Sequence, residues 1–112
     1  MKKLLTLLLV MVLLLTACSS GEGKKIKVGI LQYVEHPALD EARIGFEEEL
    51  KTLGVDAEID YKNAQGDIPT ARTIAEKFAS DKVDLIYAIA TPAAQAAAGA
   101  TKDIPVLLSA VT

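Results

Sequence analysis

The two residue types that most often carry out chemistry occur once each. His36 is the only histidine, which excludes a histidine-based metal cluster, and Cys18 is the only cysteine, which excludes an internal disulfide or a thiolate metal site. No Gly-x-Ser-x-Gly turn presents a nucleophile, no Gly-x-Gly-x-x-Gly follows the first strand, and there is no P-loop lysine. Glu47-Glu48-Glu49 lies within an amphipathic helical pattern and reads as a solvated face. What remains is the chemistry of recognition. Thr91-Pro92 joins a buried apolar run to an Ala-rich helix, with Thr91 as the helix cap and Pro92 at the first helical position. Such a turn also offers unpaired backbone N–H groups to an anion, and the two roles are compatible. His36 beside Pro37 reads either as a turn residue or as a side chain at the mouth of a site. Gln65 and Asp67 read first as loop and cap residues.

The elements that position these residues alternate strictly. Ile26 to Val34 is β-branched and apolar, a buried central strand. Pro37 starts a helix whose stripe is Leu39, Ala42, Phe46, Leu50 and Leu53, and Gly54 stops it. Val55, Ala57, Ile59 and Tyr61 alternate with charged residues, so this strand is half exposed and belongs near a sheet edge. After the loop Asn63–Asp67, a second stripe runs through Ile68, Ala71, Ile74, Ala75 and Phe78. Val83 to Ala90 is a third strand, Ala93 to Ala100 a helix able to pack close to the sheet, and Ile104 to Val111 a fourth strand. The order βαβαβαβ predicts an α/β fold: a Rossmann-like, three-layer αβα lobe with a parallel sheet in strand order 2-1-3-4 and the switch point between strands one and three. Ligands in such sheets bind beyond the carboxyl ends of the strands, here Gln32 to His36, Ala90 to Ala93 and Ala110 to Thr112.

The first 17 residues are different in kind. Lys2 and Lys3 precede a 12-residue apolar core, Leu4 to Leu15, which is a signal-peptide length and short of the roughly 20 residues of a membrane span. The mean hydropathy of +0.30 therefore reflects the leader. Both leader lysines go with it, so the chain from Cys18 onward is acidic, and with a pI near 5.1 for the whole chain a nucleic-acid partner is not expected. Leu15-Thr16-Ala17-Cys18 resembles the bacterial lipobox, in which the cysteine thiol receives diacylglycerol and the chain is cut just before it; a plain signal peptide with an incidental cysteine is the other reading. Residues 18–25, small and Gly-rich, read as a lipidated cysteine and a flexible tether.

Four segments carry a further resemblance: Val28 to Asp40 (VGILQYVEHPALD), Asn63-Ala64-Gln65-Gly66-Asp67, Ala90-Thr91-Pro92-Ala93-Ala94-Gln95 and Ser109-Ala110-Val111-Thr112. In this order they are similar to the ABC-transporter substrate-binding lipoproteins of the tryptophan/tyrosine type, from about Lys25 to the last residue. The resemblance implies a type I periplasmic binding protein, in which two Rossmann-like lobes close on a ligand about a hinge. It implies that Gln32, Tyr33 and His36 line the cleft from the first strand's end. Thr91, Pro92 and Ala93 would present a hydroxyl and helix N-terminal N–H groups to a ligand carboxylate, and Thr112 would add a hydroxyl from the fourth strand. The family chain continues past this point, so residues 26–112 are expected to be an incomplete N-terminal lobe, and the fourth strand an exposed apolar edge.

The function this implies is capture of a small solute, an aromatic amino acid, by a monomeric lipid-anchored receptor that delivers it to ABC permease subunits, with no cofactor and no catalysis. A sensory lipoprotein of the same fold, signalling to a membrane partner, is the alternative. An enzyme on a flavodoxin-like half domain lacks any nameable nucleophile, base or cofactor loop, and a DNA-binding repressor is excluded by the leader.

Overall fold

The computed structural model describes residues 25–112; the leader and Cys18 lie outside the described residues. The elements follow the predicted order: β1 (Ile26–Gln32), α1 (Pro37–Thr52), β2 (Ala57–Asn63), α2 (Ile68–Ser80), β3 (Leu85–Ile89), α3 (Thr91–Ala100) and β4 (Val106–Ser109). The four strands form one parallel sheet in the order β2-β1-β3-β4, with Val28 beside Ile59 and Leu85, and Ile86 beside Val106. The charged alternation of β2 is thus the signature of an edge strand, as expected.

Strand alternation sorts the core into two layers. Val28, Ile30, Tyr87 and Ile89 face α1, which contributes half-buried Leu39, Ala42 and Phe46. The Phe46 ring stacks on Tyr87 at 4.2 Å between centroids, and the Tyr87 hydroxyl donates to Ala42 O at 3.4 Å. Leu31, Ile86 and Ala88 face the other way, onto Ala71, Ala75 and Phe78 of α2 and Ala93, Ala94 and Ala97 of α3. The small side chains of α3 let its backbone lie close to the sheet. Gly29 has the same purpose in β1, because a Cβ there would stand 2.7 Å from the Phe78 ring.

The predicted boundaries fail in one consistent way. Val55 and Val83 were expected to open strands, yet each closes the preceding helix. The Val55 amide donates to Leu50 O (2.9 Å) past Gly54 at φ +71°, and the Val83 amide to Phe78 O (3.3 Å) past Lys82 at φ +55°. Both are the six-to-one bond of a Schellman ending, with an apolar residue two positions beyond the cap. Ile104 is likewise withheld from β4, its amide donating to Thr101 Oγ1 (3.2 Å), and Ala110 at φ +55° ends that strand before Val111. The helical stripes also reach one residue too far: Leu53 and Ile68, at the helix ends, are 67% and 57% exposed. On β4, Leu107 and Leu108 remain about half exposed, one on each face of the edge strand.

Candidate functional site

The carboxyl ends of β1, β3 and β4 converge on one rim, and the structure places the residues of interest there in unequal roles. At the end of β3 the chain turns into α3 through Ala90, whose φ of +84° and ψ of +156° lie in a region that L-residues avoid. The residue is held there on both sides. Its amide donates to Ser109 O on β4 (2.8 Å), and its carbonyl accepts from the Ala94 amide inside α3 (3.0 Å).

Ala90, not Thr91, is the N-cap, and this corrects the sequence expectation. Thr91 is the first helical residue and Pro92 the second, and no side chain caps the helix. The Thr91 hydroxyl is spent elsewhere, accepting from the Thr112 amide at 3.1 Å, so that the ends of β3 and β4 are tied together. The physical reason is Ala90's conformation, which already performs the turn a cap residue would make. The Thr91 amide has no acceptor among the described residues and Pro92 has no N–H to offer, while Ala93, expected at the rim, is 0% exposed and packs in the core against the sheet. The rim here is therefore a set of free donors: the Thr91 backbone N–H at the positive end of a helix dipole, the Thr91 hydroxyl proton and the exposed Thr112 hydroxyl. Such a set suits a carboxylate.

At the end of β1, His36 is the N-cap of α1, with extended backbone, and its Nδ1 accepts from the Ala38 amide at 3.2 Å. The turn role is thus real. Because Nδ1 accepts, the neutral ring carries its proton on Nε2, which remains exposed and able to donate. Tyr33 is half buried and clamps the next loop: its hydroxyl donates to Gly66 O at 2.8 Å, while its carbonyl accepts from the Gly66 amide at 2.8 Å.

Gln32 departs from its expected place. It is 0% exposed, so it does not line the rim. Its Nε2 donates to Val34 O (2.9 Å) and Asp40 Oδ1 (2.8 Å), and its Oε1 accepts from the Tyr61 hydroxyl (3.4 Å). A side chain at this position of a β-strand faces the α1 layer, and Asp40 in the first turn of α1 supplies the acceptor that makes burial of its amide tolerable.

Sequence reading missed Asp40, Tyr61 and Asn63. They flank a groove of about 720 Å³ beyond the ends of β1 and β2, with Arg43 as a further wall. The Arg43 guanidinium lies over the Tyr61 ring at 4.6 Å and pairs with Glu47 at 3.3 Å. Only the spacing of Asp40 within the first helical turn was visible in sequence, and that signal points equally to the helix dipole. Asp67 does cap α2 as expected, accepting from the Thr70 amide at 2.9 Å. The hydroxyl of Thr70, and after it the amide, hold its carboxyl below the ordinary 3.8. Gln65, in the same loop, is exposed at φ +54°.

Comparison with known proteins agrees with this geometry. Residues 27–112 match the family model described as ABC transporter substrate binding protein. A tyrosine-binding protein of Clostridioides difficile is 47% identical, over 99% of this chain and 38% of that protein. The ligand-free, open structure of a substrate-binding protein with adhesive properties from Clostridium difficile superposes with a TM-score of 0.76 at 57% identity, over 78% of this chain and 31% of the other. A domain from Streptococcus pneumoniae in complex with L-Trp gives a TM-score of 0.76 at 39% identity, over 80% of this chain and 31% of the other. A conserved domain protein from Vibrio cholerae gives 0.78 at 46% identity, with the same coverage. The chain thus spans roughly a third of the length of these relatives. Strand order, the donor-lined turn after β3 and the match across nearly all described residues lead to one conclusion: the chain belongs to the ABC transporter substrate-binding protein family.

Proposed function

We propose that this chain supplies one wall of the solute site of an ABC importer's receptor, and that the solute is an aromatic L-amino acid. The observation that carries the reading is the donor set after β3: the free Thr91 amide and the Thr91 and Thr112 hydroxyls, held in place by the bonds from Ala90 to Ser109 and from Thr112 to Thr91. This set matches an α-carboxylate, and the names of two relatives supply the rest, one tyrosine-binding and one solved with L-Trp. His36 Nε2, Tyr33, Pro92 and Thr112 are assigned to the same site at the strand ends, and recognition of the aromatic ring falls to other parts of the receptor. The site binds and orients; it carries out no bond chemistry.

The domain division goes with this reading: a signal peptide over 1–17, a lipidated Cys18 and tether over 18–25, and a solute-binding lobe from 26. The receptor works outside the cytoplasm as a lipid-anchored monomer and hands its solute to permease subunits. No helix of the described residues is long and apolar enough to cross a membrane; the proposed attachment is the lipid on Cys18. Cys18→Ala then moves the protein from the membrane fraction to the soluble one; retention in the membrane fraction would contradict the anchor.

The decisive test is calorimetric titration of the protein, as its gene encodes it, with the amino acids and with tyrosinamide. The expected result is saturable binding of L-Tyr or L-Trp, no binding of tyrosinamide, and an affinity about tenfold weaker in Thr91→Val, as for one hydrogen bond to a charged group. Equal binding of tyrosine and tyrosinamide would refute the carboxylate assignment, and binding of none of the aromatic amino acids would refute the solute class.

A further inference from the structure

We propose that Asp40 is a positioning residue for the solute site: through a directed chain of hydrogen bonds it holds both the β1–α1 turn and the β2–α2 loop at the rim. The proposal deepens the solute-binding reading above and rests on it.

The argument begins with an ambiguity. The two ends of a glutamine amide are nearly equal in size, so shape alone does not orient it, and its neighbours must. At one end of the Gln32 amide stand two acceptors, Val34 O at 2.9 Å and Asp40 Oδ1 at 2.8 Å. An ionised carboxylate accepts and cannot donate, so Nε2 belongs at that end. Oε1 is then left to Tyr61, whose hydroxyl must donate to it (3.4 Å). A hydroxyl has one proton, so the Tyr61 oxygen becomes the acceptor for Asn63 Nδ2 (3.3 Å). That orients Asn63 with Oδ1 toward the Gln65 amide, which donates to it at 2.7 Å. Gln65 is held there at φ +54°, a conformation non-glycine residues adopt infrequently.

Val34 O and the Asp40 carboxylate, both acceptors only, set the direction at one end of this chain, and the Gln65 amide, which can only donate, agrees with it at the other. The carboxylate suits its place, because the first turn of α1 favours negative charge. Gln32 is fully buried, so removal of its acceptor leaves an unpaid donor that water cannot reach. The two middle bonds are the long ones, so the hold on the β1–α1 turn through Val34 is tighter than the hold on Gln65. Two loops that differ by some thirty residues in sequence thereby share one anchor, and both border the rim on which the solute is proposed to sit.

The test compares Asp40→Leu, which keeps the branching and removes the acceptor, with Asp40→Asn, which keeps an acceptor oxygen, and with Tyr61→Phe, which cuts the chain in its middle. Three quantities are read on the whole protein: amino-acid affinity, the hydrogen-exchange rate of the Gln65 amide, and exchange in the core amides of α2. In Asp40→Leu, affinity is expected to fall about tenfold, as for one charge-assisted hydrogen bond, and Gln65 exchange to rise several-fold with α2 unchanged. Asp40→Asn is expected to recover most of the affinity. Tyr61→Phe is expected to free Gln65 with a smaller loss of affinity. An unchanged Gln65 exchange rate in Asp40→Leu would overturn the chain. So would equal effects of Leu and Asn, or a rise in exchange spread evenly through the fold, which is the mark of a merely structural role. Failure of the solute reading shows separately, as wild-type protein that binds none of the amino acids; the loop-holding chain is then decided by Gln65 exchange alone.

Discussion

Gly29→Ala is the sharpest single test of how the lobe is packed. The added Cβ would lie 2.7 Å from both Cγ and Cδ2 of Phe78 and 2.9 Å from Cε2. Reaching ordinary contact at 3.4 Å needs a shift of at least 0.7 Å. Cγ is the root of the ring, so rotation about the side-chain bonds moves it little, and α2 itself must retreat from β1. Phe78 is fully buried in a cluster with Ala71, Ala75, Val83 and Ile86, which leaves it no vacant space. Overpacking of this kind costs about 1–3 kcal/mol. Replacing glycine by alanine in an unstrained strand would return about 0.4–1 kcal/mol through the unfolded chain. The net expectation is a loss of roughly 1 kcal/mol in urea unfolding, followed by circular dichroism or tyrosine fluorescence, since the chain has no tryptophan. In a Phe78→Ala background the clash is gone and the same substitution should stabilise by about 0.4–1 kcal/mol, which makes the coupling between the two sites as large as the overpacking cost itself. Additive effects, or a Gly29→Ala protein within about 0.5 kcal/mol of wild type, would refute the packing argument.

Two other perturbations test the rim. Ala90→Gly relieves backbone strain of about 1–3 kcal/mol against a glycine entropy cost of about 0.4–1 kcal/mol, so thermal unfolding should show a more stable protein by roughly 1 kcal/mol; a destabilised variant would mean that Ala90 is not strained. The Asp67 carboxyl, followed by NMR, should titrate below 3.8, with the Thr70 hydroxyl and amide as the cause. Its folded value is depressed, so the stability it contributes is present above the unfolded carboxylate range and lost as pH falls through the folded value. Thr70→Val should move the titration back toward 3.8, and an unchanged midpoint would show that the hydroxyl has no part in it.

Much of the architecture was legible in one dimension because it depends on period and punctuation. Alternating residues in β2, the helical stripes on α1 and α2, and Pro37, Gly54 and Asp67 at element ends were enough for an α/β lobe, its strand order and the rim at the strand ends. These features are local, or follow from the handedness of parallel crossovers, which leaves few topologies to choose among. The family resemblance was legible in the same way, as ordered short segments.

What sequence could not decide is where a polar side chain spends its hydrogen bonds. Gln32 reads as a rim residue, yet the α1 layer supplies Asp40 and the β2 strand supplies Tyr61, and their acceptor and donor draw it fully inside. Thr91 reads as a cap, yet Ala90 takes a conformation that no alanine announces, held by Ser109 on the neighbouring strand, and the threonine is freed to bind Thr112. Val55 and Val83 read as strand openings, yet their amides close the helices before them. In each case the deciding partner is distant in sequence or set by a backbone angle, and a buried polar group follows whichever partner the fold brings within reach.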